Sequence, residues 1–192
     1  MAFQIINSIL SWLLKKRKHQ IELFLKYPKD VQEEVLLGLV NTAKNTEFGI
    51  EKEFATIQKY TDFRQKVPIQ QYETFEPFIE RCRKGTQNLF WPTPIKWFAK
   101  SSGTTNAKSK FIPVSDDALE YCHLKAGKDM LCLYINNNPK TQLFTGKSLR
   151  LGGSSEVYQD NGSHFGDLSA IITENLPLWA DFSSAPSQKV AL

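Results

Sequence analysis

Cysteine, histidine and methionine are scarce here, at three, three and two residues in a chain of 192. Cys82, Cys122 and Cys132 form no C-x-x-C pair and leave one odd thiol. That argues against a disulfide framework and for a reducing, cytoplasmic setting. His19, His123 and His164 are scattered and show no H-E-x-x-H or other ligand spacing, so no metal centre is expected from them. Both common phosphate signatures, G-x-x-x-x-G-K-[ST] and G-x-G-x-x-G, are missing. No internal repeat or low-complexity tract occurs, and no apolar run is long enough to span a bilayer. Charge of one sign is also in short supply. The net charge is +4, and residues 1–30 carry all of it, with Lys15, Lys16, Arg17, Lys18, Lys26 and Lys29 against Glu22 and Asp30. A nucleic-acid partner would need basic charge spread over a binding face, so none is expected.

What is present is the composition of an ordinary soluble domain, 41% hydrophobic, 23% charged and 12% aromatic. The N-terminal stretch "MAFQIINSILSWLLKKRKHQ" places Ile5, Ile6, Ile9, Leu10, Leu13 and Leu14 at helical spacing, which predicts an amphipathic helix within residues 1–27. Two readings of it stand: a helix packed on its own domain with Lys15–Lys18 in water, or an interfacial anchor with Trp12 at the boundary and the basic cluster near lipid head groups. Packing on its own domain is the simpler expectation.

Further along, Tyr27-Pro28 interrupts the pattern, and Asp30 followed by Glu33 resembles a capping box for a second helix from Val31 to about Asn45. Glu76-Pro77 reads as the start of a third helix, with Phe78, Ile79 and Cys82 on its face and Gly85 at its end. "NLFWPTPIKWFA" is extended and aromatic, its two prolines barring a helix interior. "KFIPV" reads as a partner strand, and Ser115 with Asp116 and Asp117 caps a long helix running to about Ile135. "SLRLGG" reads as a strand ending in a glycine corner and "GDLSAIITENLP" as a helix stopped by Pro177. Helices and strands mixed in this way indicate an α/β domain.

Between the two expected strands lie Ser101, Ser102, Gly103, Thr104 and Thr105, with Lys108 and Lys110 just beyond. Phosphate oxygens need convergent donors: backbone N–H groups freed by a tight turn, short hydroxyls, and a cation. The run supplies the first two, Gly103 permits close approach, and either lysine supplies the third. From the residues alone a hairpin turn with a basic rim remains equally open. No Ser/His/Asp nucleophile system is evident, so Ser101 and Thr104 are read as donors.

"SSGTTNAKSKFIP" resembles the first ATP-binding motif of the adenylate-forming enzymes. It is most similar to the version in the auxin-responsive Gretchen Hagen family of acyl-acid amido synthetases, roughly SSGT[ST]-x-x-x-x-K-x-[IM]-P. "TEFG" at 46–49, "VPIQQYETFEPFIERCRKG" at 67–85, "LFTGKSLRLGGSS" at 143–155 and "GDLSAIITENLPLWA" at 166–180 also look like bacterial members of that family. Two departures stand out. Asn106 and Ala107 replace the glycine often found after the loop, and the usual superfamily lysine falls where this chain has Ser109, making Lys110 the family-like candidate and Lys108 its rival.

The resemblance implies an incomplete N-terminal large domain of an acyl-adenylate synthetase-like fold over residues 28–192, a mixed sheet flanked by helices. It implies an enzyme that uses ATP and Mg²⁺ to adenylate a carboxylic acid and pass the acyl group to an amine such as an amino acid. Ser101, Ser102, Gly103, Thr104, Thr105 and Lys110 would then bind the nucleotide phosphates. Family members are about three times longer, so the adenine, ribose and Mg²⁺ residues are expected beyond Leu192, and the 192 residues alone are expected to be inactive. "SSE" at 154–156 is too early for the later magnesium motif, and Glu156 is read as a loop carboxylate. Where plant relatives place a carboxylate-anchoring arginine, this chain has Asp129, leaving His123, Lys128 and Arg150 as candidates for the acid. A non-catalytic fragment or pseudoenzyme binding nucleotide or a partner is the alternative.

Overall fold

The computed structural model describes residues 2–101, 109–149 and 156–187. In chain order the elements are α1 (Ala2–Lys15), α2 (Lys18–Lys26), α3 (Pro28–Ala43), α4 (Glu47–Glu51), a 3₁₀ turn (Phe54–Thr56), α5 (Tyr60–Lys66) and α6 (Tyr72–Arg83). Strands β1 (Trp97–Ser101) and β2 (Lys110–Val114) follow, then α7 (Asp116–Ala118), a π-helical turn (Leu119–Leu124) and α8 (Lys125–Asn137). The chain continues through β3 (Ser148–Leu149), β4 (Val157–Asp160), β5 (Ser163–Gly166), α9 (Leu168–Glu174), α10 (Leu178–Phe182) and β6 (Ser184–Ala185). These divide into two compact units, one of residues 27–116 and 158–165, the other of 1–26, 117–157 and 166–192.

The first unit is built on a four-stranded sheet in the order β2-β1-β5-β4. β1 and β2 are antiparallel, with Trp97 opposite Val114 and Ser101 opposite Lys110. The β4–β5 hairpin turns on Asn161-Gly162, both at positive φ (48° and 78°), the backbone a two-residue turn of this hand requires. Phe98 and Phe165 are fully buried and stack at 5.3 Å, joined in the core by Cys82, Leu89 and Ile95. Fully burying one such side chain contributes about 1.5–3 kcal/mol, so this cluster fixes where β1 and α6 lie. A second cluster, Val40, Ala43, Phe54 and Ile57, holds α3 against the 3₁₀ turn.

Two helix starts differ from the sequence expectation. α3 begins at Pro28 with Tyr27 as its cap residue and no side-chain cap, so the Asp30/Glu33 capping box does not form. Proline's fixed φ already suits the first helical position, and Asp30 acts from within the first turn, where a carboxylate favours the helix dipole. α6 begins at Tyr72, leaving Pro77 inside it. Only the Glu73 carbonyl, four residues back, loses its intrahelical donor there. The gain is a longer helix whose first turn reaches β2.

In the second unit the N-terminal segment is two helices, α1 and α2, broken at Lys16 and Arg17. α1 and α2 both pack on α8. The expected long helix after Ser115 is present as the continuous run 116–137, with residues 119–124 widened to π geometry. β3 and β6 pair in parallel, Ser148 with Ser184. The "GDLS" helix is α9, capped by Asp167 and ending before Asn175, and Pro177 caps α10.

Candidate phosphate-binding site

β1 and β2 place Ser101 and Lys110 on the last rung before the hydroxyl loop. Ser102, Gly103, Thr104 and Thr105, with the rival Lys108, lie outside the described residues, as does Arg150. β2 is an edge strand, so one side of it presents unpaired backbone groups. Tyr72 covers them at Phe111: its hydroxyl donates to the Phe111 carbonyl at 3.2 Å and accepts from the Phe111 N–H at 3.1 Å. This clamp ties the first turn of α6 to the base of the loop. The neighbouring Glu73 then meets Lys110, Oε1 to Nζ 3.0 Å, and the same ammonium sits 4.8 Å from the centre of the Tyr72 ring. Arg83, at the other end of α6, lies over the Phe111 ring at 4.0 Å. "YE" and "R" of the family-like stretch 67–85 thus seat strand β2, and the pairing of Glu73 with Lys110, 37 residues apart in sequence, is a feature that sequence reasoning missed.

Both partners are open to water, Lys110 38% and Glu73 60% exposed. Such a pair aims the ammonium without sequestering it, because the attraction is weakened by solvent. A polyphosphate, carrying more charge than one carboxylate, is well placed to compete for Lys110. The Glu73 carboxyl is held below its usual range, first by its own backbone N–H at the start of α6 and then by Lys110. Glu47, beside Arg81 at 2.6 Å, and Glu53, beside Lys66, are lowered as well, each chiefly by the hydrogen bond from its basic partner. A carboxylate lowered on folding adds stability that is complete above its ordinary value of 4.5 and is lost as pH falls through the folded one. Acidification from pH ~6 to ~3 is therefore expected to lower the melting temperature, with a shallower fall in Glu73→Gln. Identical pH profiles for variant and wild type would remove the Glu73–Lys110 pair from the account.

The candidates for the acid belong to the second unit. His123 lies in the π turn and Lys128 on α8, and both line a cavity of about 260 Å³ with Leu131, Ile172 and Trp179. Lys128 is engaged by Glu120 at 2.7 Å. Asp129 receives Arg17 through two hydrogen bonds, 2.6 and 3.1 Å, and its hydrogen bonding is the main reason the Arg17 pKa is raised. Charges that looked like a solvated helix face are thus two ion pairs. Cys82 and Cys132 are buried, and desolvation pushes both thiols up, away from thiolate chemistry. Among the described residues no three His, Cys, Asp or Glu side chains gather as metal ligands.

Comparison with known proteins follows the same lines. The sequence pattern of the GH3 family N-terminal domain matches residues 17–192. The chain is similar to the indole-3-acetic acid-amido synthetase GH3.2 of Arabidopsis thaliana, 31% identical over 101 residues, covering 52% of this chain and 18% of the relative. It is similar to the jasmonoyl–L-amino acid synthetase JAR6 of Nicotiana attenuata, 28% identical over 149 residues, covering 74% and 24%. Among solved structures, the GH3.15 acyl acid amido synthetase shares its fold with a TM-score of 0.72 at 20% identity, over 93% of this chain and 31% of that one. A second, AtGH3.15 in complex with 2,4-DB, gives 0.64 at 23% identity, over 77% and 26%. This chain spans 18% and 24% of the length of the two curated relatives, so it corresponds to their N-terminal part.

Proposed function

The chain belongs to the GH3 family, and from that premise we propose that it forms the phosphate-holding part of an ATP-dependent acyl-acid amido synthetase. The observation that carries the reading is the β1–β2 hairpin, which sets Ser101 opposite Lys110 at the mouth of the hydroxyl loop, with the ammonium presented by Glu73 and Tyr72. In the first half-reaction a substrate carboxylate oxygen attacks the α-phosphorus of ATP, the bond to the β-phosphate oxygen breaks, and pyrophosphate leaves. In the second, an amine attacks the acyl carbon, AMP departs and the nitrogen loses a proton, leaving an amide. This chain's contribution is alignment and charge neutralisation: the loop's hydroxyl and N–H groups with Lys110 hold the phosphate chain in line. Lys110 acts as a point charge, with three donors on a flexible stem. Mg²⁺, when present, offsets further phosphate charge.

The names of the relatives support carboxylic acids and amino acids as the substrate class. For the acid we propose the cavity beside His123, whose walls are largely apolar, with Lys128 at its edge. With Asp129 in the place of an arginine and already paired to Arg17, an auxin- or jasmonate-type carboxylate anchor is not carried over at that position.

The test is ATP–pyrophosphate exchange by a full-length protein carrying this chain, run against a panel of carboxylic acids with amide products read by mass spectrometry. Acid-dependent exchange followed by amide formation supports the synthetase reading. Phosphate-dependent ATP binding with no exchange for any acid would instead favour a nucleotide-binding module without catalysis.

A further inference from the structure

Helix α1 presents apolar residues on two opposite sides, and its own unit covers only one of them. On the covered side the Asn7 amide accepts the Phe144 N–H at 3.1 Å and donates to the Thr141 carbonyl at 3.3 Å, and Leu10 and Leu14 are half-buried. On the other side Ile5, Ile9 and Trp12 follow i, i+4, i+7 spacing and stand 60%, 53% and 58% exposed. Lys16 continues that row, its ammonium 3.5 Å from the centre of the Trp12 ring. A water-facing row of two isoleucines and a tryptophan is costly to hydrate and marks a contact surface.

Charge decides what the surface fits. Residues 1–21 contain no carboxylate, while Lys15, Lys16 and Lys18 cluster where the exposed row ends, and Arg17 is turned inward to Asp129. A second copy would bring like charge against like charge here, whereas an anionic lipid surface is complementary to it. The family match begins at Arg17, so α1 precedes the part of the chain that carries the family pattern. Among the described residues no helix is long and apolar enough to cross a membrane, which leaves α1 lying in the plane of the interface. We propose that α1 docks the protein on an anionic lipid surface, with Ile5, Ile9 and Trp12 entering the acyl boundary and Lys15, Lys16 and Lys18 meeting the head groups.

The experiment is co-sedimentation of the 192-residue chain with vesicles of phosphatidylcholine, alone or containing about a third phosphatidylserine. Binding to the anionic vesicles is expected to exceed binding to the neutral ones by roughly tenfold or more, and to fall with salt. Ile9→Glu, and separately Lys15→Glu with Lys16→Glu, should each lower it by roughly tenfold, with circular dichroism unchanged. Equal or absent binding to the two vesicle types would overturn the proposal. So would variants that bind like wild type, or self-association abolished by Ile9→Glu without vesicle binding, which would give the row to a second copy.

Discussion

Lys110→Ala should slow adenylation roughly ten- to a hundredfold in a full-length protein, the loss expected for one charge-assisted contact of ~1.5–3 kcal/mol made in the transition state. The substitution is a clean probe because the hairpin does not depend on that side chain. The β1–β2 register and the two Tyr72–Phe111 hydrogen bonds hold β2 in place, and Lys110 adds only a solvent-exposed ion pair with Glu73. Melting should therefore change little while rate changes much. Lys108→Ala, at the rival lysine, should have the smaller effect. Equal rates for wild type and Lys110→Ala would sink the assignment.

The second large effect is on stability, at Gly49. Thr46, completely buried, donates its hydroxyl to the Ala43 carbonyl at 2.7 Å and accepts the Gly49 N–H at 3.0 Å, capping α4. The same Ala43 carbonyl also accepts the Thr46 N–H at 3.0 Å, so it cannot turn aside. A Cβ on Gly49 would lie 2.0 Å from that oxygen, a clash with backbone rather than with a side chain that could swing away. Overpacking of this kind costs about 1–3 kcal/mol, and Gly49→Ala belongs at the upper end or above. For a chain of this size that corresponds to a melting temperature lower by roughly 6–12 °C. Gly38 on α3 is the control: nothing lies within 4 Å of its added Cβ, and Gly38→Ala should be neutral or stabilising by up to about 1 kcal/mol. Thermal melts of the two variants side by side check this. A Gly49→Ala protein as stable as wild type would mean that α3 and α4 do not meet as described.

Local signals carried much of the fold and long-range pairing did not. The strands around the hydroxyl loop were legible because prolines and alternating aromatics exclude a helix there, and the helix after Ser115 because acidic residues mark its start. Its π turn had no sequence signal. The start of α6 was misplaced since a proline is usually read as a first helical residue, while the tertiary contact of Tyr72 with Phe111 draws the helix four residues further back. Asn161-Gly162 was a readable hairpin signal that reasoning from sequence passed over. At the site, residue types identified Ser101 and Lys110, but nothing local could reveal that Glu73 aims the lysine, or that Arg17 meets Asp129 across 112 residues. Ion pairs of that separation follow from packing, and composition is silent about them.

The central claim is that the hairpin holds phosphate, and the most direct measurement is a competition titration of the 192-residue chain with ATP, ADP and AMP at fixed, low salt. Affinity should rise with each added phosphate, fall as salt is raised, and lose most of that gradient in Lys110→Ala. AMP binding as tightly as ATP, or a gradient indifferent to Lys110, would contradict the account.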